Sequence, residues 1–218
     1  MDHSGQIAAA GVAAQDVLEF KHRARESTLP ASRKVIQACS TAIRSVHRRE
    51  FHEARELIAV AAAYLSEADA ALEDVPDVRY AGFIHDAKKE FAEANLTLAF
   101  VADNPIPTAA ELGVEVQAYL NGMAEAASEL RRQVLDCLRR EESEEAERLL
   151  TVMDAVYGLL ITIDYPDALT GGLRRSTDAL RAVLERTRGD VTTASIVARL
   201  QQAVEGRTTT KIDLTESA

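Results

Sequence analysis

The chain has 218 residues, 25 basic and 35 acidic, for a formal net charge of −10. That balance excludes general coating of nucleic acid, which is driven by net neutralisation of phosphates, but leaves room for a local basic groove. Hydrophobic residues make up 47% and aromatics 5%. This is enough apolar material for a sizeable core, in an Ala- and Leu-rich composition that favours helices throughout.

Taken in chain order, residues 6–28 read as a first helix, and Pro30 either ends it or opens the next at its first turn. The second helix, 31–48, repeats apolar positions at Val35, Cys39, Ile43 and Val46. It closes on Arg44, His47, Arg48 and Arg49, cations that the helix dipole favours there. A third helix covers about 51–73. Asp74-Val-Pro-Asp77 then makes a turn, and a fourth runs over about 77–103 with Tyr80, Ile84, Ala87, Phe91, Ala94 and Leu98 on its buried side. Asn104-Pro-Ile-Pro107 is a loop. A fifth helix, about 114–140, carries the stripe Met123, Ala127, Leu130, Val134 and Cys137. A sixth covers 142–163, interrupted by Asp164-Tyr-Pro-Asp167. A seventh covers 167–187, with a kink expected at Gly171-Gly172 and a cap at Gly189. A short last helix reaches about 205. The fold class is therefore all-α, about seven helices in one domain over 1–205, and the polar residues 206–218 read as a disordered tail. Cys39 and Cys137 read as buried free thiols of a reducing cytoplasm. No run is apolar for long enough to span a bilayer, and no secretory signal is visible.

Four glutamates stand out. Glu90 and Glu93 are three apart on the fourth helix, and Glu125 and Glu129 four apart on the fifth, so each pair shares a helix face. If the two helices are neighbours, the carboxylates converge. Two ionised carboxylates about 5 Å apart repel by roughly 3 kcal/mol at an effective dielectric of about 20. A convergent cluster therefore calls for a cation or raised pKa values. Oxygen-only ligands favour Mg²⁺ or Mn²⁺. On pattern alone, the same stripes also describe ordinary solvated helix faces. The Glu-x-x-His repeats of di-iron bundles are missing, which disfavours a ferritin-like oxidase. A helical nucleotide pyrophosphatase, which also holds Mg²⁺ with paired glutamates, is the nearer competitor.

An ordered series of motifs decides among these. It comprises Ser-Arg (32–33), Ala-Ile-Arg-Ser-Val-His-Arg (42–48), Lys-Glu-Phe-Ala-Glu-Ala (89–94), Tyr-Leu-Asn-Gly-Met-Ala-Glu (119–125), Ser-Glu-Leu-Arg-Arg (128–132), Met-Asp-Ala-Val-Tyr (153–157), Asp-Tyr-Pro-Asp-Ala (164–168) and Leu-Glu-Arg-Thr-Arg-Gly-Asp (184–190). With these the chain resembles the translin family, and within it the catalytic translin-associated factor X branch. The resemblance implies an all-helical, translin-like bundle that binds nucleic acid and closes into a hollow, usually octameric, homo-oligomer.

For the factor X branch the resemblance implies a metal-dependent endoribonuclease. Glu90, Glu93, Glu125 and Glu129 occupy its acidic motif, with Glu125 where Asp is frequent. The non-catalytic branch lacks an acid at that position, so Glu125 points toward activity. On this reading the four glutamates hold Mg²⁺ or Mn²⁺, directly or through waters, and Glu129 is the choice for taking a proton from the attacking water. Arg44, Arg48, Arg131 and Arg132 are the expected phosphate contacts. The partners are RNA, with single-stranded DNA as a second nucleic acid, and further copies of the chain; no membrane is expected. The alternatives are a non-catalytic RNA- or DNA-binding scaffold and a structural partner of a separate catalytic chain. The low aromatic content argues against a base-stacking platform for reading sequence.

Overall fold

In a computed structural model the chain is described over residues 2–79 and 82–215, with the backbone alone for 205–215. Nine helices and no strand occur among the described residues. They are α1 (His3–His47), α2 (Phe51–Ala71), α3 (Pro76–Arg79), α4 (Gly82–Val101), α5 (Ala109–Leu112), α6 (Val116–Arg139), α7 (Ser143–Leu160), α8 (Asp167–Thr170) and α9 (Leu173–Thr215). The all-α class is as the composition predicts.

Three local expectations change. The first two expected helices are one, because Pro30 lies inside α1. A proline there removes the hydrogen bond to the carbonyl of Glu26. Both Pro30 and Glu26 are exposed, so that carbonyl faces solvent and water can satisfy it. Gly189 likewise caps nothing: α9 runs through it, and the hydroxyl of Thr193 donates to its carbonyl at 2.9 Å. The expected kink at Gly171-Gly172 is instead a full break between α8 and α9. Both glycines hold positive φ, 59° and 85°, which side chains rarely tolerate. The backbone of α9 is helical as far as Thr215, and residues 216–218 lie outside the described residues. Tyr80, expected to be buried, also lies outside them.

Two compact units make up the chain, Met1–Met123 and Ala124–Ala218. In the first, α1 packs along α2 and α4, and α2 along α4. The seam holds Val35, Cys39, Ala42 and Val46 from α1, Ala54, Ala61 and Leu65 from α2, and Ile84, Ala87 and Phe91 from α4. Its small residues let helix axes approach closely. Ala31, Ala68, Leu72 and Ile84 close one end of this core. In the second unit α7 packs along α9 through Leu149, Met153, Val156 and Leu160 against Leu173, Leu180, Leu184 and Val191.

The turn after α1 ends in a Schellman arrangement. Arg49, at φ 62°, donates from its backbone N–H to the carbonyl of Val46, and Glu50 donates to Ser45 at 2.9 Å. The turn after α6 repeats it, with Glu141 at φ 62° and Glu142 donating to Cys137 at 2.9 Å. The loop after α4 leads into α5, which opens on a capping box between Thr108 and Glu111.

Candidate metal centre

The face of α4 that carries the glutamates is far less exposed than a solvated helix surface. Glu90 is half-buried and Glu93 is only 8% exposed. Cys39 of α1 adjoins these carboxylates, and Gly122 of α6 lies directly on the same turn of α4. A Cβ at Gly122 would stand 2.7 Å from the Lys89 carbonyl oxygen and 3.0 Å from the Glu93 backbone nitrogen. Glu125 sits three residues further along the same unbroken helix, so helix geometry carries it to the same side as Gly122.

Carboxylate oxygens of Glu90, Glu93 and Glu125 all lie within 4.8 Å of one another. Of the four predicted ligands the structure thus gathers three. Glu129, one turn beyond Glu125 and half-buried, lies outside that group. Each ionised pair at this spacing repels by about 3 kcal/mol at an effective dielectric of about 20, which one cation between the three would offset. The donors are carboxylate oxygens without imidazole or thiolate, a set that suits hard ions such as Mg²⁺ and Mn²⁺. Both acid stripes run on into buried polar groups. Thr97, one turn past Glu93, and Gln133, one turn past Glu129, are buried, with Oγ1 and Oε1 lacking a partner among the described residues.

Three neighbours of the centre carry roles that their residue types did not announce. Lys88, adjacent to the acid pair in sequence, points elsewhere. Its side chain is 2% exposed, and its Nζ meets Asp69 of α2 at 3.1 Å and Glu115, just before α6, at 2.9 Å. Burial pushes the Glu115 carboxyl up, but the hydrogen bond from Lys88, its own backbone N–H and the charges of Lys88 and His85 together bring it below 4.5. Lys89 instead stays by the acids, 3.6 Å from Glu90. Cys39 of α1 is fully buried; desolvation, then the charges of Glu90 and Glu93, push its thiol up to about 12. It is a neutral wall beside the carboxylates rather than a thiolate. The apolar register of α1 signalled its burial, but no sequence feature signalled its neighbours.

The four predicted phosphate contacts separate into different environments. Arg44 is exposed and bonds only to hydroxyls, Ser40 at 3.3 Å and Thr41 at 2.9 Å. Arg48 caps α1 and is held by Glu50 at 2.5 Å, with Glu53 at 3.5 Å. Arg131 is half-buried, pairing with Asp190 of α9 at 2.8 Å and donating to the Thr187 hydroxyl at 3.1 Å. Arg132 is exposed, and its guanidinium has no ion pair or hydrogen bond among the described residues. Among the described residues, Arg44 and Arg132 therefore keep guanidinium groups uncommitted to carboxylates.

Comparison with known proteins gives this arrangement a context. No family model matches the chain. An uncharacterised protein of Methanocaldococcus jannaschii, MJ0175, is 31% identical over 181 residues, covering 81% of this chain and 78% of its own. The crystal structure of AfC3PO matches at a TM-score of 0.78 and 31% identity, covering 86% of this chain and 97% of that one. A complex of AfC3PO with duplex RNA matches at the same TM-score and identity, covering 96% of that chain. The chain belongs to the translin family. The structure of apo-NeC3PO, at 18% identity, shares the fold of this translin-family chain at a TM-score of 0.74. Among its described residues no helix is long and apolar enough to cross a membrane.

Proposed function

We propose that this translin-family chain is a metal-dependent endoribonuclease whose cation site is built on Glu90, Glu93 and Glu125. The observation that supports this most is the spacing of the three carboxylates, all within 4.8 Å, on a face that close helix packing keeps half to fully buried. That AfC3PO has been seen with duplex RNA supports RNA as the polymer bound.

A bound Mg²⁺ or Mn²⁺ would polarise a phosphate oxygen and acidify a water. The chain's own residues do the rest. Glu90, Glu93 and Glu125 supply the negative charge that holds the cation. Glu129, one turn along α6 from Glu125, is the carboxylate assigned to accept a proton from the attacking water. Arg44 and Arg132, free of carboxylate partners, hold the phosphate backbone, which orients the strand without reading its sequence. The chain works as a homo-oligomer, an octamer by its resemblance, in the cytoplasm. Five large apolar residues on the first turns of α1, Ile7, Val12, Val17, Leu18 and Phe20, are each more than half exposed and support association.

The test is RNA cleavage by the purified chain in chelator and after Mg²⁺ or Mn²⁺ is restored, beside Glu125→Gln. Cleavage that needs the cation and is abolished in Glu125→Gln, with RNA binding kept, is expected. RNA bound but never cleaved by wild type would instead establish the non-catalytic scaffold.

A further inference from the structure

We propose that Gly122 sets the size of cation that the glutamate group accepts, by holding α6 against α4 at a distance no other residue permits. The inference rests on the metal reading of Glu90, Glu93 and Glu125 and goes beyond it to the residue that fixes their spacing.

The contact is tight on three sides. A Cβ on Gly122 would meet the Lys89 carbonyl oxygen at 2.7 Å, the Ala92 Cβ at 2.9 Å and the Glu93 nitrogen at 3.0 Å. Two of these atoms are helix backbone, and none can swing aside as the tip of a long side chain can. Gly11, Gly82, Gly158 and Gly189 lie in helices too, yet a Cβ on any of them would meet nothing within 4 Å. The atoms that crowd Gly122 belong to the same turn of α4 as the carboxylates. Glu90 follows Lys89 directly, and Glu93 supplies the nitrogen. Glu125 follows Gly122 by three residues. The separation of the two helices at this crossing therefore translates into the separation of the ligand oxygens.

The start of α6 is pinned, so it cannot slide to absorb a side chain. Glu115 is held by Lys88 at 2.9 Å, and the Tyr119 hydroxyl donates to the Pro107 carbonyl at 2.8 Å. A Cβ at position 122 would push the helices apart at the crossing itself. The two cations respond differently to such a change. Mg²⁺ demands near-octahedral oxygens at about 2.0–2.1 Å, whereas Ca²⁺ accepts six to eight ligands at about 2.3–2.6 Å in flexible geometry. Widening the crossing should cost Mg²⁺ affinity first.

Calorimetric titration of the full chain with Mg²⁺ and with Ca²⁺ tests this, on wild type, Gly122→Ala and the control Gly158→Ala, each checked for helicity. In Gly122→Ala, Mg²⁺ affinity should fall about tenfold or more while Ca²⁺ affinity stays near wild type; Gly158→Ala should change neither. Ala92→Ser puts one extra atom into the same crossing from α4 and should shift the ratio the same way by less; it carries the test if Gly122→Ala does not fold. A folded Gly122→Ala or Ala92→Ser that keeps the wild-type ratio, or weakens both cations equally, overturns the inference alone. A wild type that binds neither cation overturns the metal reading and this inference with it.

Discussion

Lys88 and Glu115 form an ion pair of 2.9 Å in which the lysine is all but sealed from solvent, and Asp69 closes the other side of the ammonium at 3.1 Å. One cation thus joins α2, α4 and the residue that leads into α6. Removing it strips Glu115 of its ion-pair partner and leaves Asp69 with Arg79 at 3.8 Å. Breaking a buried pair typically costs about 3–5 kcal/mol. The acids here are a quarter to a third exposed, so about 2–3 kcal/mol is expected for Lys88→Met. Urea denaturation followed by circular dichroism measures it. A loss below half a kcal/mol would show that the network adds nothing.

The same pair predicts a pH dependence. The folded Glu115 carboxyl lies below its ordinary 4.5, so its contribution is fully present above that value and is lost as pH falls through the folded value. The advantage of wild type over Lys88→Met should be constant near neutrality and shrink below about pH 4.5. Parallel stability curves for the two proteins down to about pH 3 would refute it.

Arg131 and Arg132 are adjacent in sequence and should behave oppositely. Arg131→Ala loses the link to Asp190 and Thr187, so stability should fall by about 0.5–1.5 kcal/mol. The salt dependence of RNA binding should hardly move. Arg132→Ala should leave stability within about 0.5 kcal/mol but flatten the salt slope by about 0.7–0.9, one phosphate's worth. Filter binding at graded salt, with thermal melts alongside, separates the two. The same slope change in both variants would contradict this division of labour.

Cation binding should also appear as stability without any RNA. A ligand that binds only the folded chain stabilises it by about 2.7 kcal/mol at a hundred times its Kd. Mg²⁺ or Mn²⁺ should therefore raise the melting temperature of wild type. In Glu93→Gln, which removes the most buried of the three charges, the rise should be largely gone. An equal rise in both proteins would place the cation elsewhere.

The exposed apolar residues near the start of α1 predict association. Leu18→Glu with Phe20→Glu should shift light scattering toward smaller species and leave helicity unchanged. A stable wild-type monomer at micromolar concentration would contradict assembly altogether.

Sequence alone determined that the chain is helical and which faces carry acids. Both follow from local rules: Ala- and Leu-rich runs with apolar residues three and four apart have no competing strand pattern, and glutamates at i, i+3 must share a face. It also suggested that Glu90, Glu93, Glu125 and Glu129 would converge if their helices were neighbours; the structure gathers the first three, and Glu129 lies outside that group. Tertiary structure alone decided what depends on which side of a helix meets a neighbour. Pro30 is tolerated inside α1 because it faces water, an orientation that its sequence neighbours do not specify. Lys88 and Lys89 are indistinguishable as letters, yet one step around a helix, about 100°, turns the first into the interior and leaves the second beside Glu90. The same step separates Arg131, clamped to α9, from Arg132 in solvent. Gly122 reads in sequence as a weak helix residue. Only the approach of α4 shows why a side chain there has no room, since the distance between two helix backbones is a property of the pair and of neither sequence alone.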